Sequence, residues 1–432
     1  MSRFIPISNK HRLPDAHASV KEAPAFDDTA HEAPIFIERA VGARKGRGAV
    51  SNVQGRYETV LREEFDDGWQ QSGEGKGENA ARISADGAEG GDDSEAALPP
   101  LRTIVTEERA RSILSRNASP DLPFNVSLNP YRGCEHGCVY CFARPSHSYL
   151  GLSPGLDFES RLFAKVNAPE LLLHELARPS YSPEVITVGI NTDAYQPCER
   201  EYRLTRRVLE ILHDCRHPVA LITKSSLVER DIDLLAPMAA RRQAIVAVTL
   251  TTLDPAIART LEPRAAAPAR RLRVIRTLAE AGIPVSVSIA PMIPFITEPD
   301  LERIMAAAVD AGARHAGYVV LRLPWEVSPL FQEWLRAHFP ERAQRVMNRI
   351  RDMRGGKDYD ATFSNRMRGQ GVWADLLHQR FEKASQRLGL KHRNGSFGTL
   401  DTSQFVAPPR TASARVKAAP ENSSGTGQMD LF

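Results

Sequence analysis

Between about Leu101 and Phe339 the sequence alternates β-branched runs with runs of helical spacing, and this restricts the fold more than any other feature of the chain. Phe124–Leu128, Val185–Ile190, Val219–Thr223, Ile245–Thr251, Val285–Ile289 and Tyr318–Leu321 predict strands. Leu204–Cys215, Leu227–Ala240, Ala269–Ala281 and Asp300–Ala311 predict helices between them, and Pro329–Phe339 follows the last strand. Leu204, Val208, Leu209 and Leu212 share one helical face, and Gly282 and Gly312 stand where helices should end. Strict alternation means parallel strands joined by helical crossovers. Six such units predict an α/β fold, an open partial (β/α)6 barrel, with a doubly wound sheet as the alternative. In either fold the loops after the strands carry the site. Here they hold Asn191–Asp193, Lys224–Ser226, Thr251–Thr252 and Arg322.

The flanks read differently. Residues 1–100 predict a mostly disordered tail. Asp66–Glu95 alone has nine acidic residues, two basic ones and seven glycines, too little apolar material to offset the entropy of ordering. Within that tail, residues 44–52 form a basic patch, either a flexible linker or an arm that packs on the core or touches a polyanion. The core is expected over residues 101–340. Residues 341–400 form a basic helical extension with thirteen Lys/Arg against six Asp/Glu. In it Val346, Ile350 and Met353 make an apolar stripe between Arg342, Arg345 and Arg349. Its charged side reads as a solvated face or a surface for a polyanion. Residues 401–432 read as a flexible tail.

Hydrophobic residues make up 42% of the chain and charged residues 25%, as in ordinary globular proteins. No apolar stretch reaches the length of a transmembrane helix, so no membrane partner is expected. The polar start of the chain has no apolar signal segment, which predicts a cytoplasmic protein.

Five cysteines are too few for a disulfide framework, and three of them fall within eight residues. Cys134, Cys138 and Cys141 follow the spacing C-x3-C-x2-C. Three thiolates on one tight loop can ligate three irons of a [4Fe–4S] cube and leave the fourth iron open. Gly133 and Gly137 let the backbone wrap closely around such an object. Zinc would need a fourth ligand such as His136, His147 or Cys198. Cys215 lies on the apolar side of its helix and reads as core.

The segment Tyr131–Phe142, with aromatic residues flanking the last cysteine, resembles the radical S-adenosylmethionine (radical SAM) superfamily. The runs Asn129–Cys134, Asn191–Pro197, Thr223–Ser225 and Ala290–Pro294 resemble the branch related to spore photoproduct lyase. Within it the chain is most similar to the uncharacterised bacterial family called PA0069- or Rv2578c-like. The resemblance implies a partial barrel of the radical SAM type, a [4Fe–4S] cluster and S-adenosyl-L-methionine. It implies reductive cleavage of that cofactor to a 5′-deoxyadenosyl radical, which abstracts a substrate hydrogen. A reductase such as flavodoxin or ferredoxin would supply the electron.

The same resemblance places individual residues. Tyr140 and Phe142 would pack on the adenine. Asn191, Thr192 and Asp193 occupy the region that holds the methionine amino group, although the Gly-Gly-Glu run common there is missing. Asp193 is the expected acceptor for the ammonium, and Lys224 the partner of the carboxylate. One of Thr249 and Thr251, and one of Ser286 and Ser288, would face the ribose hydroxyls, or else bond the backbone within the core. Glu262 and Arg264 read as a surface ion pair or a loop pair near the cofactor. Cys198 is the nearest counterpart of the hydrogen-donating cysteine of spore photoproduct lyase.

The chain ends Gln428-Met429-Asp430-Leu431-Phe432, which resembles the short peptide by which bacterial proteins bind the DNA sliding clamp. A macromolecular substrate is the expectation, with DNA in a repair role favoured. The alternatives are radical modification of RNA or a protein side chain, and a non-enzymatic Fe–S module tethered to the clamp.

Overall fold

The computed structural model describes residues 45–58, 101–392 and 400–409. The acidic run 66–95 and the C-terminal peptide 428–432 lie outside the described residues.

One eight-stranded sheet organises the core. Its strands are β1 (Leu114–Arg116), β2 (Val126–Leu128), β3 (Ile186–Val188), β4 (Val219–Thr223), β5 (Ala244–Thr249), β6 (Val285–Met292), β7 (His315–Val320) and β8 (Lys391–His392). They lie in sequential order, all parallel except β1, which runs antiparallel to β2. Strands β2 to β7 are the six expected from the sequence, shifted by a few residues at their ends, and they make the partial barrel. The register pairs Val188 with Leu221, Leu221 with Val246, and Val248 with Val287.

Period-two alternation sorts these strands into two faces. Val219, Leu221, Val246, Val248, Val287 and Ile289 point outward into one core shared with the crossover helices. Those helices are α1 (Ala168–Leu176), α2 (Leu204–Asp214), α3 (Ile232–Ala240), α4 (Pro268–Glu280) and α5 (Leu301–Asp310). The alternate residues Thr187, Ala220, Ala247, Thr249, Ser286 and Ser288 occupy the other face. They are small or hydroxylated, so the concave side of the sheet leaves space for a ligand instead of filling with side chains. Cys215 is buried in the outer core.

Both flanks contribute to the barrel. Helices α6 (Val327–His338) and α7 (Pro340–Asp352) pack Trp334, Val346 and Ile350 against Cys138, Val139 and Tyr140 of the cysteine loop. Met353 and α8 (Val372–Leu388) join the outer core instead. Residues 400–409 cross the N-terminal ends of the strands, where Leu400 packs on Ala220 and Ile245.

Residues 45–58 lie against the core, in a segment the sequence left open between linker and arm. Both carboxylate oxygens of Glu159 accept from this strap, from Gly48 N at 3.0 Å and Ala49 N at 2.8 Å. Arg47 donates to the Glu159 carbonyl at 2.7 Å and to that of Leu101 at 2.6 Å.

Candidate active site

A cavity of about 820 Å³ opens at the C-terminal ends of the strands. Its inner half is walled by Cys134, Cys138 and Cys141 of the loop after β2, by the loops after β3 and β4, and by Thr249 and Ser288.

The cysteine loop is gripped from all sides. Cys134 N donates to Phe158 O at 2.9 Å, and Val139 N donates to Leu261 O at 3.3 Å. The buried Gln196 amide accepts from Glu135 N at 2.9 Å and donates to Gly133 O at 3.2 Å. Behind the loop, the fully buried Arg144 donates to Cys138 O at 2.9 Å and Gly137 O at 3.3 Å, and pairs with Glu159 at 2.5 Å. Gly137 adopts φ 67°, and a Cβ there would sit 2.7 Å from Glu159 Oε2. The loop closes this tightly only because that position is glycine.

Burial pushes the Cys138 thiol up to about 12, and burial followed by the neighbouring Asp193 pushes Cys134 well above its ordinary value. Such thiols ionise when a metal displaces their protons. All three cysteines are free and face one cavity. Among the described residues, no group of three or more His, Cys, Asp or Glu converges on a point that one metal ion could occupy. A cube spreads its thiolates over several irons, so this donor set fits a [4Fe–4S] cluster.

Asp193 serves the loops. Its Oδ1 accepts from Thr223 Oγ1 at 2.7 Å and Tyr195 N at 2.9 Å. Its Oδ2 accepts from Lys224 N at 2.7 Å, with His136 Nδ1 3.3 Å away. Burial alone would raise this carboxyl, but His136 and the backbone donors outweigh it and hold Asp193 at about 2. Three hydrogen bonds and the nearby His136 ring engage the Asp193 carboxylate, which ties it to the loops around it. Thr192 is also engaged, donating to Tyr131 O at 3.3 Å. The exposed Asn191 side chain lines the cavity and makes no hydrogen bond among the described residues.

Lys224 extends into the cavity, 5.8 Å from the centre of the Tyr140 ring. Burial disfavours its charge, but Cys138 and Glu262 outweigh burial and keep it cationic. No carboxylate among the described residues lies within salt-bridge distance of its ammonium. Tyr140 is buried and donates its hydroxyl to Glu262, whereas Phe142 is 39% exposed on the cavity wall.

Other expectations separate. Thr249 and Ser288 line the cavity, but Thr251 donates to Glu262 at 2.6 Å and Ser286 lies deeper in the barrel. Glu262 and Arg264 form no surface pair. Glu262 is buried against Arg271 at 2.5 Å, and Arg264 pairs with Glu135 at 2.7 Å, both packed behind the cysteine loop. Cys198 sits in a separate apolar cluster with Tyr131, Leu162, Ala164 and Leu204, off the cavity wall. It is the N-cap residue of the short helix Glu199–Tyr202.

The outer half of the cavity has residues the sequence did not point to. Asp121 comes from the segment before β2 and Arg366 from the short helix Asn365–Arg368 between α7 and α8. They meet bidentately at 2.7 and 2.5 Å across the mouth. Tyr318 and His392 line the wall between them and the sheet edge. More than 240 residues separate the two halves of that clasp, and no local pattern signals it.

The radical SAM superfamily description matches residues 128–308. The uncharacterized protein Rv2578c of Mycobacterium tuberculosis is 37% identical over 226 residues, which are 52% of this chain and 66% of that protein. The chain thus spans just under two thirds of that relative's length. The uncharacterized protein MJ0683 of Methanocaldococcus jannaschii is 27% identical over 51% of this chain and 79% of its own. Spore photoproduct lyase complexed with dinucleoside spore photoproduct aligns with a TM-score of 0.48 and 12% identity, over 67% of this chain and 81% of that one. The superfamily implies a [4Fe–4S] cluster and S-adenosylmethionine, and the three thiols and the unpaired Lys224 fit those groups. Residues 128–308 match the radical SAM superfamily description, so this segment of the chain is a radical SAM domain.

Proposed function

We propose that this protein is a radical SAM enzyme acting on a nucleic acid, with DNA in a repair role as the favoured substrate. One observation carries the chemistry: three cysteines, an unpaired lysine and the open ends of six parallel strands share one cavity. Bound there, the cluster and S-adenosylmethionine supply reductive cleavage of a sulfonium S–C bond and hydrogen abstraction from a substrate. The chain's residues bind and aim these groups. Cys134, Cys138 and Cys141 would hold the cluster. Lys224 would hold the methionine carboxylate, and Asn191, with the loop backbone that Asp193 organises, would meet the amino group. Phe142 offers a ring for the adenine, and Thr249 and Ser288 offer the polar wall beneath it. The packed helices α6 and α7 exclude water from behind the cysteine loop. Thiolate ligands require reducing surroundings, in keeping with the cytoplasm.

Support for DNA comes from the basic extension and the clamp-like C-terminal peptide. In that peptide Gln428 would meet the pocket rim, and Leu431 and Phe432 would fill its apolar floor. Two such side chains supply about 3–6 kcal/mol before ordering costs, so micromolar affinity is the ceiling.

The test is deuterium transfer from labelled polymers into 5′-deoxyadenosine under anaerobic reduction, with damaged DNA, RNA and protein compared side by side. No 5′-deoxyadenosine from any of them defeats the enzymatic reading. Transfer from RNA or protein alone defeats the DNA preference. A peptide of residues 421–432 that fails to bind the clamp removes the tether.

A further inference from the structure

Two cations on the cavity wall lack an acidic partner deep in the site, and they stand in different places. Lys224 lies beside Cys138 and Tyr140. Arg322 follows β7 on the outer half, half-buried, with its guanidinium 5.0 Å from the centre of the Phe142 ring. Its nearest polar contacts are weak, to Tyr359 Oη at 3.4 Å and Met367 Sδ at 3.8 Å, and its Nε is buried with no hydrogen-bond partner. No carboxylate among the described residues comes within 4 Å of it. Three neighbouring arginines are spoken for. Arg366 is held by Asp121, Arg116 pairs with Glu184 at 2.8 Å, and the buried Arg354 donates to the carbonyls of Leu321 and Arg366, both at 3.0 Å.

A fork of donors left open in a partly dry wall is a site for an oxyanion. A radical SAM site offers two sources: the cofactor's carboxylate and an anionic substrate. Lys224 ends β4 and stands over the Tyr140 ring beside Cys138, which suits the first.

We propose that Arg322 is the substrate-anion residue and binds a backbone phosphate of a single-stranded nucleic acid drawn into the outer half of the cavity. This rests on the radical SAM reading of the inner half. Phosphate is favoured over a peptide carboxylate for two reasons. Arg368 is exposed at the same mouth, within an extension rich in Lys and Arg. Phe363 is 49% exposed beside Arg366, its ring centre 4.8 Å from that guanidinium, which provides the aromatic face that unpaired bases stack on. The outer wall also belongs largely to residues outside 128–308, the part of the chain that the superfamily does not share.

The test uses the full chain, reconstituted anaerobically. Fluorescence anisotropy with a labelled oligothymidylate of about twelve nucleotides is followed from about 50 to 200 mM KCl. Arg322→Gln should weaken binding about tenfold or more and lower the slope of log K against log salt by about 0.7, the share of one phosphate on a single strand. Arg322→Lys keeps the charge and should restore the slope. S-adenosylmethionine affinity, read from the cofactor's effect on the cluster EPR signal, should change less in Arg322→Gln than oligonucleotide affinity does. An unchanged slope, no binding by the wild type, or equal competition by poly(glutamate) overturns the proposal. A larger loss of S-adenosylmethionine affinity than of oligonucleotide affinity also overturns it and makes Arg322 the carboxylate partner. A wild type that shows the Arg322-dependent slope but no response to S-adenosylmethionine defeats the radical reading and leaves the phosphate site standing.

Discussion

Replacing Glu159 by Gln should loosen the cysteine loop from behind, without touching a thiol. Glu159 is fully buried. Its Oε1 accepts from Ala49 N at 2.8 Å and Arg144 at 2.5 Å, and its Oε2 accepts from Gly48 N at 3.0 Å. An amide keeps one acceptor oxygen and turns the other into a donor facing the Gly48 N–H. It also removes the counter-charge of Arg144. Breaking a buried pair costs about 3–5 kcal/mol. Arg144 retains carbonyl acceptors at Cys138, Gly137, Pro154 and Gly155, which places the charge loss near the lower end. The donor–donor contact adds about 1 kcal/mol or more. A total of about 3–5 kcal/mol corresponds to a fall of about 1–1.7 M in the urea midpoint, at a slope of about 3 kcal/mol/M. Trypsin should also cut faster at Arg47 and Arg56 in the strap. Gly48→Ala is the second arm. It keeps the carboxylate, but its Cβ would lie 1.8 Å from Gly137 O, so the strap must lift. A Glu159→Gln protein with a wild-type midpoint and unchanged cleavage would refute the reasoning.

Other expectations concern the site and the fold. Replacing Cys134, Cys138 or Cys141 by Ala should abolish the brown chromophore and iron content of the reconstituted protein, whereas Cys198→Ala and Cys215→Ala should retain about four irons per chain. Lys224→Ala should weaken S-adenosylmethionine binding by about 10- to 150-fold, the worth of one charge-assisted hydrogen bond of about 1.5–3 kcal/mol, with iron content intact. Equilibrium dialysis that shows unchanged affinity would reassign the carboxylate. Burial lowers the His217 imidazole to about 4, with its ring bonded to Tyr181 Oη at 2.7 Å. The unfolded chain therefore takes up a proton first as pH falls, so stability is full above about 6.5 and is lost between about 6.5 and 4. Urea midpoints at pH 7.5 and 5 should differ by the equivalent of about 2 kcal/mol from this group, and His217→Gln should shrink that difference.

The six strand runs, the cysteine spacing and the three-thiolate site were legible because each is local. A β-branched run declares a strand by its own side chains, and C-x3-C-x2-C declares a cube by the reach of one loop. Lys224 was legible too, since a polar residue that ends a parallel strand must face the mouth of the barrel. Side-chain direction and pairing were not legible. Thr249 and Thr251 differ by two residues and look alike in sequence, but β5 ends between them and only the first reaches the cavity. Asp193 looked free in sequence, but three donors from the loops after β3 and β4 close on it. Cys198 stood near the expected position in sequence but packs into another cluster. Glu159 and Gln196, which hold the cysteine loop, and the Asp121–Arg366 clasp at the mouth join residues about 60 to 245 positions apart. Such pairs form only when the barrel brings distant loops together, and the low dielectric of the interior then makes each buried donor seek whichever acceptor the fold has placed beside it.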